Sequence, residues 1–151
     1  MMIEKGRILA VDPGEKNIGI AISDILGAFA RPLKIIHHLS RLLDAAQIAD
    51  IAKENNVTLI IIGLPTGGNG EEIPRGRHSK KLAEVIRKQC EISVILWEEN
   101  NSTKIARNSL IEMNVPVSKR SGHQDDLAAA VILQSFLDQN PQVGDIHAEQ
   151  E

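Results

Sequence analysis

Apolar residues in this chain follow two rhythms, and the change from one to the other marks out the elements. "RILAVD" (7–12) is an unbroken apolar run that ends on a carboxylate, Asp12. "NIGIAISD" (17–24) alternates, with Ile18, Ile20 and Ile22 on one face and Gly19, Ala21 and Ser23 on the other. That is the period of a strand. "ARPLKIIHHL" (30–39) predicts a third strand, joined to the second by a turn around Gly27. Strands linked this closely pair antiparallel, because a parallel pair needs a long crossover.

The rhythm then lengthens. "SRLLDAAQIADIAKENN" (40–56) predicts a helix with Ser40 as N-cap and Leu42, Leu43, Ala46, Ala49 and Ala52 on its buried stripe. "TLIIIGLP" (58–65) is apolar on both faces, as suits a parallel strand covered on both sides. A glycine-rich loop, "TGGNGEEIP", leads to the helix "RHSKKLAEVIRKQC" with Leu82, Val85 and Ile86 inward. "ISVILW" is a further strand that stops at Glu98-Glu99. A helix is expected from near Ser102, carrying Ile105, Ala106, Leu110 and Met113, and a last one over "DDLAAAVILQSFLD" (125–138). The order βββαβαβαα implies an α/β fold: a mixed five-stranded sheet, a three-strand antiparallel meander plus parallel strands, with helices on both faces. This order matches the ribonuclease H-like architecture. One domain is expected over 1–140, with 141–151 a polar, disordered tail.

Composition narrows the chemistry. With 151 residues the chain suffices for one domain with a real core. Aromatic residues are 2%, which argues against a broad base-stacking platform. The single cysteine, Cys90, excludes an internal disulfide and a cysteine-based zinc site. "MMIEKGR" lacks the apolar core of a signal peptide and no apolar run approaches a membrane span, so a cytoplasmic protein is expected. Net charge is −3, yet "RGRHSKKLAEVIRK" (75–88) holds six Lys or Arg against one Glu. That segment fits either a solvated helix face or a surface for a polyanion.

Three carboxylate positions stand out. Asp12 ends the first strand, Glu98 and Glu99 end the last, and Asp125 and Asp126 open the final helix. Each has a plain alternative: a turn former before Pro-Gly, a solvated strand end, a helix N-terminus favouring negative charge. Their conjunction is more informative. Ligands of parallel α/β sheets bind beyond the carboxyl ends of strands. Carboxylates converging there repel one another, and a hard divalent cation such as Mg²⁺ or Mn²⁺ resolves the repulsion. One or two such ions can activate water and stabilise the leaving oxygen in phosphodiester hydrolysis. Gly14 would let the backbone turn closely beside such a site.

"VDPGEKNIGIAISD", "ARPL", "IIIGLP", "EENNST" and "DDLAAAVILQSFLD" together resemble the YqgF/RuvX family of Holliday-junction-resolvase-like proteins, over roughly residues 7 to 138. The resemblance implies a ribonuclease H-like fold and a divalent-metal nuclease site. It links the chain to maturation of the 5′ end of 16S ribosomal RNA precursors and, by older assignment, to Holliday junction cleavage. Carried over residue by residue, the metal-binding and catalytic carboxylates are Asp12, Glu99 and Asp125. Ser102 and Thr103 fall on paired hydroxyl residues of the family, with Glu98 and Asp126 as accessory candidates. The family's Asp-Glu-Arg segment reads Glu98, Glu99 and Asn100 here, so the first acid is one methylene longer. Asn100 offers a hydrogen bond where the family has a cation.

The expected activity is endonucleolytic phosphodiester hydrolysis without a side-chain nucleophile. Lys16, Arg75, Arg77, Lys80, Lys81 and Lys119 are the expected contacts to the nucleic-acid backbone, which position a strand without reading its sequence. The loop over 65–77 is a candidate for closing over it, and His78 and His123 are candidates for proton transfer. The expected partner is structured or precursor rRNA, with branched DNA as the alternative, and the protein is a monomer or a homodimer. Two other classes compete: a non-catalytic RNA-binding or ribosome-associated factor, and an ATP-dependent actin- or sugar-kinase-like protein. The second normally needs two such domains, and this chain has one Asp-x-Gly turn.

Overall fold

The computed structural model describes residues 6–99 and 124–140, with 124–126 by backbone alone. Five strands and three helices follow in the order β1 (Arg7–Pro13), β2 (Asn17–Ser23), β3 (Ala30–His37), α1 (Arg41–Glu54), β4 (Val57–Leu64), α2 (Pro74–Gln89), β5 (Ser93–Glu98) and α3 (Gln124–Gln139). The sheet order is β3-β2-β1-β4-β5. β1, β2 and β3 form the antiparallel meander, while β1, β4 and β5 run parallel. This is the mixed ribonuclease H-like sheet that the chain's patterning predicts. The helix expected from near Ser102 and the tail from 141 lie outside the described residues.

Strand parity sorts the core into two layers. Leu9, Val11, Ile18, Ile20, Ile22, Ile60 and Ile62 point to one face, where they pack on α1 and α2. Ile8, Ala10, Ala21, Leu59 and Ile61 point to the other and pack on α3 through Ala129, Ile132, Leu133 and Phe136. Burying one such large side chain contributes about 1.5–3 kcal/mol. Buried polar groups tie the layers at the far edge. Gln134 of α3 accepts from the Ala30 N–H at 2.9 Å and donates to the Ala28 carbonyl at 3.1 Å. The β2–β3 turn forms where expected, with Gly27 at φ 70° and its N–H bonded to the Asp24 carbonyl.

One expectation is corrected. Ser40 does cap α1, its side chain accepting from the Leu43 N–H at 3.2 Å. However, Leu42 and Leu43 are exposed, and the buried stripe runs through Asp44, Ala45, Ile48, Ala49, Ile51 and Ala52. The helix is rotated relative to the apolar stripe because Asp44 is drawn inward. Its carboxylate accepts from the Leu39 N–H at 3.0 Å and contacts His38 Nδ1. α2 also begins earlier than its apolar pattern suggests, with Pro74 in its first turn, and Leu82 and Ile86 are fully buried as expected. Among the described residues no helix is long and apolar enough to cross a membrane.

Candidate active site at the C-terminal edge of the sheet

Parity decides what emerges at this edge. Asp12 follows Ile8 and Ala10 on the α3 face, and it is about 9% exposed. Its cross-strand partner on β2 is Gly19. On the other side, β1 and β4 are in register up to Val11 and Ile62, so Gly63 is the next residue beside Asp12. Asp12 is thus flanked by two positions without side chains, which leaves a hollow over the sheet.

Glu99 reaches into that hollow. On β5, Ile95 and Trp97 belong to the α3 layer, whereas Val94 and Leu96 pack with α1 and α2. Continuing the alternation puts Glu99 on the α3 side and Glu98 on the opposite one, where Glu98 is exposed. A Cβ built on Gly63 would lie 3.0 Å from Glu99 Oε1 and 2.8 Å from Ile132 Cδ1. The glycine of "GLP" is therefore the space the carboxylate occupies. Glu99 Oε1 is buried and has no hydrogen-bond partner among the described residues. A buried carboxylate oxygen left without a partner costs free energy, and a cation would satisfy it. The donors are hard oxygens, the set that suits Mg²⁺ or Mn²⁺.

The third expected carboxylate comes from α3. Asp125 and Asp126 fall in its first turn, but their side chains lie outside the described residues. Among the described residues no group of three potential ligands is close enough to hold an ion. The structure thus brings Asp12 and Glu99 to one hollow and sends Glu98 elsewhere. Asn100, Ser102, Thr103, Lys119 and His123 lie outside the described residues.

The basic candidates divide. Lys80 donates to Glu72 at 2.9 Å and Arg77 lies 3.9 Å from the same carboxylate, which is held below its ordinary pKa first by that hydrogen bond. Lys16, Arg75 and Lys81 make no ion pair among the described residues. Arg87, in the basic run but not a predicted contact, instead donates to the Val94 carbonyl at 2.7 Å and braces β5. Gly14 does sit at a close approach: its N–H bonds to the Asn17 carbonyl at 2.9 Å, and a Cβ there would lie 2.5 Å from that oxygen. Sequence reasoning missed Asp44, His38 and Arg41, which cluster beside this edge. The available signal was a carboxylate in line with Ala45, Ile48 and Ala52.

Comparison with known proteins gives the same frame. A protein from Clostridioides difficile named "Putative pre-16S rRNA nuclease" is 39% identical over 133 residues, covering 88% of this chain and 94% of that one. One of the same name from Myxococcus xanthus is 37% identical over 132 residues, covering 87% of each. Among solved structures, T. thermophilus RuvC in complex with a Holliday junction substrate matches with a TM-score of 0.58 at 13% identity, covering 86% of this chain and 91% of that one. At that identity the likeness concerns the fold. The family model described as RuvX, Holliday junction resolvase, matches residues 6–139, so the chain belongs to the RuvX family.

Proposed function

We propose that the protein is a divalent-metal-dependent endonuclease that acts in the cytoplasm on precursor 16S rRNA. The observation that carries this reading is the buried Glu99 oxygen over Gly63, without a hydrogen-bond partner among the described residues and beside Asp12 on the same face of the sheet. Two close relatives carry the name of such a nuclease. Asp12, Glu99 and Asp125 are the residues that would hold one or two Mg²⁺ or Mn²⁺ ions, which when bound supply a nucleophilic water and charge stabilisation for hydrolysis. Asp12 is presented by a strand locked on both sides, so its position is set without a cost in loop ordering. Ile132 borders the hollow, its Cδ1 lying 2.8 Å from where a Gly63 Cβ would stand. Lys16 and Arg75 hold the strand by its phosphates, and the loop over 65–73 stands at the same edge. Its fold is held by Glu71, which accepts from the Asn69 N–H at 2.9 Å.

The test is cleavage of a precursor 16S 5′-end substrate and of a four-way DNA junction by purified protein with Mg²⁺ or Mn²⁺. Asp12→Asn is expected to lower RNA cleavage by about 10²–10³-fold, the scale for removing one preorganised electrostatic group. Undiminished cleavage by Asp12→Asn overturns the site. Cleavage of the junction alone, by a dimer, transfers the reading to a resolvase, the activity in the family model's description.

A further inference from the structure

A second pocket opens at the same end of β1 but on the other side of the sheet. It has a volume of about 290 Å³ and lies between the β1–β2 turn (Pro13–Glu15), His38, and Pro74, Arg75 and His78 of α2. Its polar groups are built in from behind. Asp44 is fully buried and accepts from the Leu39 N–H and from His38 Nδ1, the latter at 2.5 Å. With its Nδ1 proton given to Asp44, the neutral His38 ring has only an acceptor at Nε2, so it lines the pocket without donating to an anion. His78 is fixed by a different partner. Arg41 Nη2 lies 3.2 Å from His78 Nδ1, and a guanidinium only donates. His78 Nδ1 therefore accepts, and the ring's proton sits on Nε2, which has no hydrogen-bond partner among the described residues. The two rings meet edge to face with centroids 6.0 Å apart.

Arg41 stands behind His78 and does not line the pocket. One further group does, and it suits an anion. Arg75 stands in the first turn of α2, whose N-cap, Ile73, offers no side-chain bond to the first amides. That helix end is electropositive. The acids nearby do not cancel this set: Asp44 is spent on Leu39 and His38, and Glu15 is an exposed rim residue.

We propose that this pocket binds one phosphate group of a nucleic-acid strand, through Arg75 and His78 Nε2, with His38 as part of its wall. Pro13 directly follows Asp12, so a strand crossing the end of β1 from the acidic hollow brings a neighbouring phosphate to it. The identity of the strand rests on the nuclease reading above; the pocket's affinity for phosphate does not.

The experiment separates the two. Inorganic phosphate is titrated into Asp12→Asn protein in EDTA while the imidazole ¹H–¹⁵N signals are followed, which removes the metal site from play. The expected result is a saturable millimolar shift of the His78 and His38 resonances, weakened about tenfold or more by Arg75→Ala, the loss of one charge-assisted bond. His78→Gln, a second surface-facing variant, weakens it as well, and melting curves confirm that both fold. No saturable shift, or equal affinity in both variants, overturns the pocket. Short RNA strands with and without a 5′-phosphate then compete for it. Displacement only by the phosphorylated strand identifies a terminal monoester, and displacement by both identifies the internal backbone. Displacement by neither overturns the assignment to a nucleic acid. Asp12-dependent cleavage without phosphate binding sinks the pocket and leaves the nuclease; the reverse sinks the nuclease and leaves the pocket.

Discussion

The two faces of one sheet edge carry opposite chemistry. On the α3 face, Asp12 and Glu99 share a hollow cleared by Gly19 and Gly63. On the α1/α2 face, a single residue further along β1, two imidazoles and the Arg75 guanidinium line a pocket, with Arg41 behind His78. The division follows from strand parity: Asp12 and Pro13 must point to opposite faces. An edge built this way can gather acids for cations and bases for anions within one turn of chain, with the sheet between them as insulation.

The largest expected effect breaks one face and spares the other. Glu99→Gln lowers metal-dependent cleavage by about 10²–10³-fold. Because Oε1 has no hydrogen bond to lose among the described residues, the metal-free melting temperature does not fall. His78 and His38 still respond to phosphate in that variant. Scanning calorimetry in EDTA with parallel cleavage assays checks it; a large loss of metal-free stability would show that Glu99 is a structural residue.

Gly63→Ala sharpens the same face. The new methyl meets Glu99 Oε1 at 3.0 Å and Ile132 Cδ1 at 2.8 Å. Ile132 can yield, because its δ-methyl is the end of a flexible side chain, so the stability cost is about 1 kcal/mol. Glu99 is pushed out of place, and a displacement near 1 Å costs cleavage about 10²-fold. A variant that melts slightly early and cleaves normally would remove Glu99 from the site.

On the opposite face the expected effect is on stability. Asp44→Ala strips the acceptor from the Leu39 N–H and from His38 and leaves both unmatched, which costs about 1–3 kcal/mol by urea denaturation. Asp44→Asn keeps one acceptor and loses less.

Most of the sheet could be read from the chain because period-two alternation is a local property. The choice of Glu99 over Glu98 came from the family resemblance, and strand parity separates the two only once the structure places β5 against α3. The rotation of α1 was not legible in the same way. Leu42 and Leu43 look like core by hydrophobicity, and only the bonds from Leu39 and His38 to Asp44 turn a carboxylate inward and two leucines outward. The Arg41–His78 contact joins residues 37 apart through the packing of α1 on α2, which no periodicity encodes.

The smallest expected effect distinguishes the faces by pH. His78 is pushed below its ordinary pKa by burial, then by the Arg41 guanidinium and His38, with Asp44 opposing. The unfolded chain therefore binds the proton more readily than the folded one, and stability rises with pH across the gap. The contribution is complete above the unfolded value of about 6.5 and is lost as pH falls from there toward the lowered folded value. Protonation also removes the acceptor that Arg41 uses at Nδ1, so the two losses coincide. Melting temperatures measured between about pH 7.5 and 5 should fall more steeply for the wild type than for His78→Gln, which keeps an acceptor but cannot titrate. Parallel curves would mean that Arg41 does not hold His78 as a neutral donor, and the basic pocket would lose the group that faces its ligand.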